Sequence, residues 1–436
     1  MSKIDVLLIN LPVSTWYKKA FENSNSMPPL GLLYIATVLN NADYQVKILD
    51  LSVNSISQTD FSDMLIEYSP KLVGLSTYNE SWNSQKVLSK YIKEVIPSTK
   101  IFAGGAFATF CYEDVLNESL TDYVVLGEGE YRVLELCNIV TGKVNKNIED
   151  IEGIAYKNID GLISINNACS RIMDLDNLPI PDRELLDLQK YTLPYTISTA
   201  RGCPGDCIFC SSRAFWGKKV IMRSAKSIFD EILFLNKQYD AKTFYVADDT
   251  FTASKKRAFD VCQMIKESKI KFMWGCESRA DVVDEALIIM LKEAGCSKIQ
   301  FGLESADNEV LKKLKKFVTI EQIENAISLA CKHGMHITAS FIVGHACDTE
   351  ETIEKTLSFV KYIQTTYGVS IAASVNTPFP GTEQFDKSDE LGLEIYSNNW
   401  NDYRLHNTII STSNLSKNQI QKYYQRALDI ASKNLN

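Results

Sequence analysis

Short apolar runs recur through the first 140 positions, and helical periodicity fills the stretches between them. Residues 4–10 (Ile4-Asp5-Val6-Leu7-Leu8-Ile9-Asn10) form a nearly continuous apolar run, the pattern of a strand covered on both faces. Further strands are predicted at Val46–Leu49, Leu72–Ser76, Ile101–Ala103 and Tyr123–Leu126. Helical patterning follows Met27-Pro28-Pro29-Leu30-Gly31 as far as Leu39, and returns around Ser84–Val95 and Glu130–Val140. Such alternation predicts parallel strands with helices on both faces, a doubly wound, Rossmann-like sheet. Sheets of this kind bind ligands beyond the carboxyl ends of their strands, at the point where strand order reverses.

The rhythm changes between 143 and 193. Gly153–Tyr156 and Leu162–Ile165, around Asp160-Gly161, predict a β-hairpin, and Leu178-Pro179-Ile180-Pro181-Asp182-Arg183 reads as extended linker. From 195 the β/α alternation resumes. Strands are predicted at 195–200, 243–247, 271–276, 297–303, 336–343 and 370–376, with helices at about 225–237, 254–268, 281–294, 319–333 and 349–366. Six β/α units, against eight in a closed barrel, predict a partial (β/α)6 TIM barrel with its chemistry at the C-terminal strand ends. A tail with Trp400, Tyr403, Tyr423 and Tyr424 ends in a helix near 416–433. The predicted division is 1–142, a connector at 143–193, a core at 194–383 and a tail at 384–436.

Composition narrows the class. The net charge of −8 gives no global basic footprint for nucleic acid. The one dense basic run, Lys312-Lys313-Leu314-Lys315-Lys316, reads as a solvated helix end. No apolar run approaches a membrane span. The N-terminus, with Asp5 inside its apolar run and Pro12 after it, reads as a strand rather than a signal peptide. Eleven cysteines in such a chain predict reduced thiols and a cytoplasmic protein.

Three of those cysteines stand together in Arg201-Gly202-Cys203-Pro204-Gly205-Asp206-Cys207-Ile208-Phe209-Cys210, directly after a predicted strand. Gly202 and Pro204-Gly205 break regular structure, so the backbone can wrap a compact centre. Thiolates select zinc or iron–sulfur. A structural zinc site closes with four ligands, and no fourth cysteine or histidine lies nearby: the next cysteine is Cys262 and the first histidine is His333. A four-iron cluster on three thiolates keeps one iron open, as a catalytic centre needs. Zinc, an open cluster and three unpaired structural cysteines all remain possible on spacing alone. Cys111, Cys137, Cys169, Cys262, Cys276, Cys296, Cys331 and Cys347 are scattered and read as small core residues, with no second cluster.

The motif Cys203-x3-Cys207-x2-Cys210, with Phe209 before the last cysteine, resembles the cluster motif of radical SAM enzymes. So do its flanks: Cys210-Ser211-Ser212-Arg213-Ala214-Phe215-Trp216-Gly217, Ala247-Asp248-Asp249-Thr250-Phe251, Phe301-Gly302-Leu303-Glu304-Ser305, and Asn376-Thr377-Pro378-Phe379-Pro380-Gly381-Thr382-Glu383. Together they resemble the subgroup with an N-terminal cobalamin-binding domain, over nearly the whole chain.

The resemblance implies a [4Fe-4S] cluster on Cys203, Cys207 and Cys210, and S-adenosylmethionine (SAM) cleaved to a 5′-deoxyadenosyl radical. It also implies cobalamin as methyl carrier and a reducing partner such as flavodoxin or ferredoxin. The substrate would be a small molecule or peptide, with no nucleic-acid or membrane partner. Methylation of an unactivated carbon is the leading outcome; oxidative cyclisation or ring rearrangement is the alternative, and a non-catalytic redox protein a third. SAM would contact Phe209, Asp249, Glu277, Arg279, Glu304, Ser305, Ile342 and Gly344. Asp249, Thr250 and Ser305 also have the chemistry of helix N-caps. Cobalamin would meet three loops: Ser76-Thr77-Tyr78-Asn79, Gly104-Gly105-Ala106 and Gly127-Glu128-Gly129. Glycines there are equally explained by tight turns after strands. Residues 1–332 contain no histidine, so this domain offers cobalt no histidine ligand, and Tyr78 or Asn79 would face its lower side. His345-Ala346-Cys347-Asp348 replaces the family's usual Leu-Pro-Gly-Glu, which makes His345 a candidate proton donor or acceptor; His333, His336 and His406 read as structural or exposed.

Overall fold

The computed structural model describes residues 3–13, 26–166 and 170–432. They form two compact units, Met1–Pro194 and Tyr195–Asn436.

The first unit holds β1 (Val6–Asn10), β2 (Val46–Asp50), β3 (Leu72–Ser76), β4 (Lys100–Gly104), β5 (Tyr123–Val125), β6 (Ile154–Lys157) and β7 (Ile163–Ile165). They form one sheet in the order β2-β1-β3-β4-β5-β6-β7. The first five strands are parallel. Alternation along β1 shows why the run is apolar throughout: Val6 and Leu8 enter one core with Leu33 and Leu136, while Leu7 and Ile9 enter another with Phe61 and Leu88. Strand order reverses at β1, and Asn10 stands in register with Ser76 at that switch point.

Helices Gln58–Tyr68, Ala106–Phe110 and Tyr112–Glu118 add to those singled out from the sequence. Gln58–Tyr68 is a faint signal because only Phe61 and Leu65 of it are buried. The hairpin is present as β6 and β7, but it is more than a connector: β6 pairs antiparallel with β5, Tyr123 against Tyr156, and lengthens the first sheet. Tyr191, farther along the same segment, donates to Asp50 at 2.8 Å beside the switch point.

The second unit holds β8 (Thr196–Ile197), β9 (Ala200–Arg201), β10 (Ile221–Met222), β11 (Thr243–Val246), β12 (Met273–Ser278), β13 (Cys296–Glu304), β14 (His336–Val343), β15 (Ser370–Val375), β16 (Leu393–Ile395) and β17 (Ile410–Thr412). Six of them form a sheet ordered β15-β14-β13-β12-β11-β8, with every adjacent pair parallel. Sequential order with helices between is the geometry of a partial barrel. Its helices run Ala225–Tyr239, Lys255–Glu267, Glu285–Glu293, Ile320–Lys332 and Glu350–Tyr367. On β14, Ile337, Ala339, Phe341 and Val343 are buried, whereas Thr338, Ser340 and Ile342 on the other face are half-buried. The inner face is therefore partly open, unlike the packed interior of a closed barrel.

The predicted strand 195–200 is split. Thr196–Ile197 pairs with β11, then the chain turns so that Ala200–Arg201 pairs antiparallel with β10. Asp248, buried at the end of β11, holds that turn: it accepts from the amides of Thr199 at 2.6 Å and Ala200 at 3.0 Å, and from the Thr199 hydroxyl. The tail belongs to the second unit, and its helix Lys417–Ala431 buries Ile420, Tyr423, Tyr424 and Ala427.

Gly74 tests the packing of the first sheet. A Cβ there would lie 2.3 Å from the Phe102 ring and 2.8 Å from Leu8. Gly74→Ala should lower stability by about 1–3 kcal/mol through overpacking, and Phe102→Leu in that background should restore part of it. Denaturant titration checks both, and an unchanged midpoint for Gly74→Ala would contradict the packing described.

Candidate cofactor and active sites

Gly205 lies at the centre of the cysteine loop. A Cβ on it would sit 3.5 Å from the Cys203 sulfur, 3.7 Å from the Cys207 sulfur and 2.9 Å from an Arg279 Nη1. A side chain there would crowd Arg279 and fill the space between the two sulfurs. Its amide donates to Cys203 Sγ at 3.4 Å, and Thr250 Oγ1 lies 3.3 Å from the same sulfur. Cys210 is the exposed member of the three; desolvation raises its thiol pKa, and the nearby Asp249, Cys207 and Cys203 add to the rise. The third thiol thus feels the other two. Among the described residues no group of cysteine, histidine or acidic side chains is gathered as a single-ion site. The three thiols with their cleared cradle suit a larger centre, and metal binding would have to displace their protons.

Two cations flank this cradle. Burial raises the Cys207 thiol pKa, while Lys316 and Arg279 oppose the rise. Lys316, read from sequence as part of a solvated run, is only 6% exposed. Its ammonium pairs with Glu304 at 2.9 Å. The helix Asn308–Lys313 ends before it, and positive φ at Lys315 and Phe317 swings the backbone inward between them. Lys315 turns instead to Glu383, at 2.6 Å. Glu304 itself has φ +65°, at an irregularity in the β13–β14 register.

The other predicted SAM contacts divide. Arg279 is held as a fork on Asp281, at 3.0 and 2.9 Å, and donates to the Lys316 carbonyl at 2.7 Å. Its remaining nitrogen faces the cysteine loop. Asp249 is exposed and accepts from Ser212 at 2.6 Å. Glu277 is half-buried; desolvation, then the charges of Asp249 and Asp248, raises its pKa, while Tyr245 hydrogen-bonded at 3.4 Å lowers it. Ser305 is buried, accepting from the Asp307 amide at 3.2 Å beside Thr356. It does not cap the following helix; Asp307 does. Thr250 stands at the N-cap of the short turn Phe251–Ala253 without a side-chain bond to it, and Ser254 caps the helix Lys255–Glu267. Ile342 is half-buried, and Gly344, at φ +87°, abuts Ile420 so closely that a Cβ would lie 2.8 Å from it. His345 is fully buried with its ring 5.7 Å from that of Phe209. Burial lowers its pKa, so the ring is neutral.

In the first unit the Thr77 amide donates to the Gly104 carbonyl at 2.9 Å, and its hydroxyl bonds to Gln85. Gly105, at φ +101°, brings its backbone so near that a Cβ would lie 2.9 Å from the Thr77 carbonyl oxygen. Two predicted loops are thus one surface. Ser76 is half-buried, Tyr78 is 59% exposed, and Asn79 has a buried Nδ2 without a partner. Ala106 begins a helix, and Gly127 donates to Thr109 at 3.0 Å. Glu128 and Gly129 are otherwise engaged. The Glu128 carboxylate is buried and accepts from the Ile172 amide at 2.6 Å. A Cβ on Gly129 would touch Ile35 at 3.0 Å, so this glycine serves helix packing.

The scattered cysteines are core residues where described: Cys111, Cys137, Cys262, Cys276 and Cys296 are buried, Cys331 and Cys347 half-buried, and Cys169 lies outside the described residues. Cys276 and Cys296 nevertheless meet across β12 and β13, with Cys262 beside Cys276, a proximity that spacing conceals. Among the described residues no helix is long and apolar enough to cross a membrane.

Comparison with known proteins agrees with this geometry. Residues 197–360 match the Radical SAM superfamily and residues 22–137 the B12 binding domain. An uncharacterized methyltransferase of Pyrococcus horikoshii is 29% identical over 98% of this chain and 92% of its own length. The anaerobic magnesium-protoporphyrin IX monomethyl ester cyclase of Rubrivivax gelatinosus is 31% identical over 86% of this chain and 70% of its own. The structure of the radical SAM methyltransferase TsrM of Kitasatospora setae, with cobalamin and a [4Fe-4S] cluster bound, superposes with a TM-score of 0.73 at 18% identity, covering 98% of this chain and 82% of that one. The chain belongs to the radical SAM enzymes that carry a B12-binding domain.

Lys316→Met removes one partner of a buried pair and should destabilise the protein by about 3–5 kcal/mol. Adding Glu304→Gln should recover most of that loss, since the uncompensated charge is then gone. Thermal unfolding of the two variants checks this; equal destabilisation by both would show that the pair is not what holds the region.

Proposed function

We propose that this enzyme methylates an unactivated carbon of a small molecule or peptide, using a [4Fe-4S] cluster, SAM and cobalamin. The cysteine loop carries the reading: Gly205 lies against the Cys203 and Cys207 sulfurs, with Cys210 farther along the same loop, at the C-terminal rim of a partial barrel. When bound, the cofactors supply one-electron cleavage of SAM and a carrier for the methyl group. Cys203, Cys207 and Cys210 would hold the cluster. Lys316 and Arg279 place positive charge beside it, which favours binding of thiolates and of a carboxylate. Asp249, Glu277, Glu304, Phe209, Ile342 and Gly344 are the rim groups assigned to SAM, with Glu304 also committed to Lys316. Arg279 has one nitrogen free of Asp281, directed at the cysteine loop rather than the open lumen.

Residues 1–142 are assigned to cobalamin through Ser76, Thr77, Tyr78, Asn79, Gly104, Gly105, Ala106 and Gly127. The close approach at Gly105 and the orphaned Asn79 amide support that assignment. Residues 143–193 join the halves, 194–383 cleave SAM, and 384–436 cover substrate. Reduced thiols at an open cluster fit a cytoplasmic enzyme served by a flavodoxin- or ferredoxin-like reductant. The likeness to a cyclase keeps oxidative ring closure as a second reading.

Anaerobic reconstitution with iron, sulfide and hydroxocobalamin, then reduction with SAM, should yield both 5′-deoxyadenosine and S-adenosylhomocysteine. Deoxyadenosine alone, with substrate present, would favour cyclisation, and neither product would overturn the reading. Cys207→Ala should abolish the cluster absorbance. The cob(II)alamin form should show no superhyperfine splitting from a protein nitrogen, because no histidine occurs before His333; splitting that follows nitrogen-15 labelling of the protein would contradict the assignment.

A further inference from the structure

A closed barrel packs its interior with branched apolar side chains. The inner face of the second sheet is polar instead. Register sets its side chains in rows across the strands. Gly275, Lys298 and His336 are partners across β12, β13 and β14. Two residues further along, on the same face, Gln300, Thr338 and Ser370 are partners across β13, β14 and β15. Neighbouring strands lie about 5 Å apart, so the side chains of a row are adjacent. The intervening residues Ile299 and Ile337 are buried in the core. Lys298, His336 and Ser370 are exposed, and Gln300 and Thr338 half-buried, so both rows are open to solvent. A Cβ on Gly275 would lie 3.2 Å from the Tyr245 ring and 3.3 Å from the Lys298 Cβ, so that glycine leaves room for both.

These groups are uncommitted. Among the described residues the side chains of Lys298, His336, Gln300, Thr338 and Ser370 form no hydrogen bond or ion pair. Glu277, the acid within electrostatic reach of Lys298, accepts instead from Tyr245 at 3.4 Å. A lone exposed lysine is ordinary surface. Here one cation stands beside an imidazole in register, with an amide and two hydroxyls in the next row: a charge to attract an anion and neutral donors to orient it. A cation would meet Lys298, and an apolar group would desolvate the polar row without pairing it. We propose that Lys298 and His336, with Gln300 and Thr338 beside them, bind an anionic group of the substrate, a carboxylate or a phosphate ester. Lys298 and His336 precede Glu304 and Ile342, two residues of the rim assigned to SAM, by six positions on the same strands. Six residues of extended chain span about 20 Å. The anion therefore lies on an elongated substrate, remote from the carbon that reacts. The inference rests on the proposed radical SAM function.

The test uses enzyme loaded with cluster and cobalamin, and equilibrium dialysis with three probes that share one body: glycerol 3-phosphate, glycerate and glycerol. SAM is the fourth ligand. The wild type should take one anionic probe about tenfold more tightly than glycerol. Preference for glycerol 3-phosphate assigns a phosphate ester to the substrate, and preference for glycerate a carboxylate. Lys298→Met keeps the apolar stem of an exposed side chain, so it folds; it should abolish the preference and leave glycerol and SAM unchanged. Thr338→Val should weaken the favoured anion about threefold, again without effect on SAM. Equal binding of the three probes by the wild type, or a preference that survives Lys298→Met, overturns the inference. So does a loss of SAM binding in either variant, which would give the row to SAM. Failure of the wild type to take up cluster would sink the proposed function instead, and dialysis of the same three probes against the cluster-free full chain would still decide the anion site.

Discussion

One buried carboxylate makes the cysteine loop possible. Asp248 stands at the end of β11 and collects the amides of Thr199 and Ala200, so the first strand stops after Ile197 and turns out of the sheet. Arg257 lies 3.7 Å from Asp248 and donates to the carbonyls of Thr199 and Phe251, tying both sides of the turn. Buried charge is tolerable only when paired and hydrogen-bonded, and Asp248 has both. Everything that follows in the loop, from Arg201 to Cys210, takes its direction from that turn.

Charge balance around the loop follows the same logic. Burial and the neighbouring Glu304 and Cys203 raise the Cys207 thiol pKa, and Lys316 and Arg279, both from later strand ends, oppose that rise. Each cation is itself anchored, Lys316 by Glu304 and Arg279 by Asp281, so neither is free to swing into solvent. An anchored charge costs little reorganisation when a charged ligand arrives, the condition for electrostatic preorganisation. On the inner face of the partial barrel Thr338, Ser340 and Ile342 are half-buried rather than sealed.

The first unit solves a different problem with the same means. Its parallel strands are covered on both faces, so a ligand meets irregular backbone in the loops at their carboxyl ends. Thr77 is bonded to Gly104, and Gly105 is pressed against the Thr77 carbonyl, so the two loops act as one platform. Glu128 and Gly129 have the same kind of position in sequence, yet Glu128 accepts from the Ile172 amide and Gly129 lets helix Glu130–Val140 seat against Ile35.

Read alone, the chain of residues determined the architecture and the metal-binding motif. Period-3.6 helices and continuous apolar strands are local consequences of burial on one or both faces, and three cysteines within eight positions need no tertiary information to be seen together. What the tertiary structure decided was partnership. The lysine run gave no sign that Lys316 alone turns inward, because that depends on left-handed backbone at Lys315 and Phe317 and on a carboxylate twelve residues earlier. Nor could spacing show that the His345 ring packs on Phe209, or that Cys276 meets Cys296. Periodicity reports which side of an element is buried; which polar groups meet there is settled only when separate strands are brought into register.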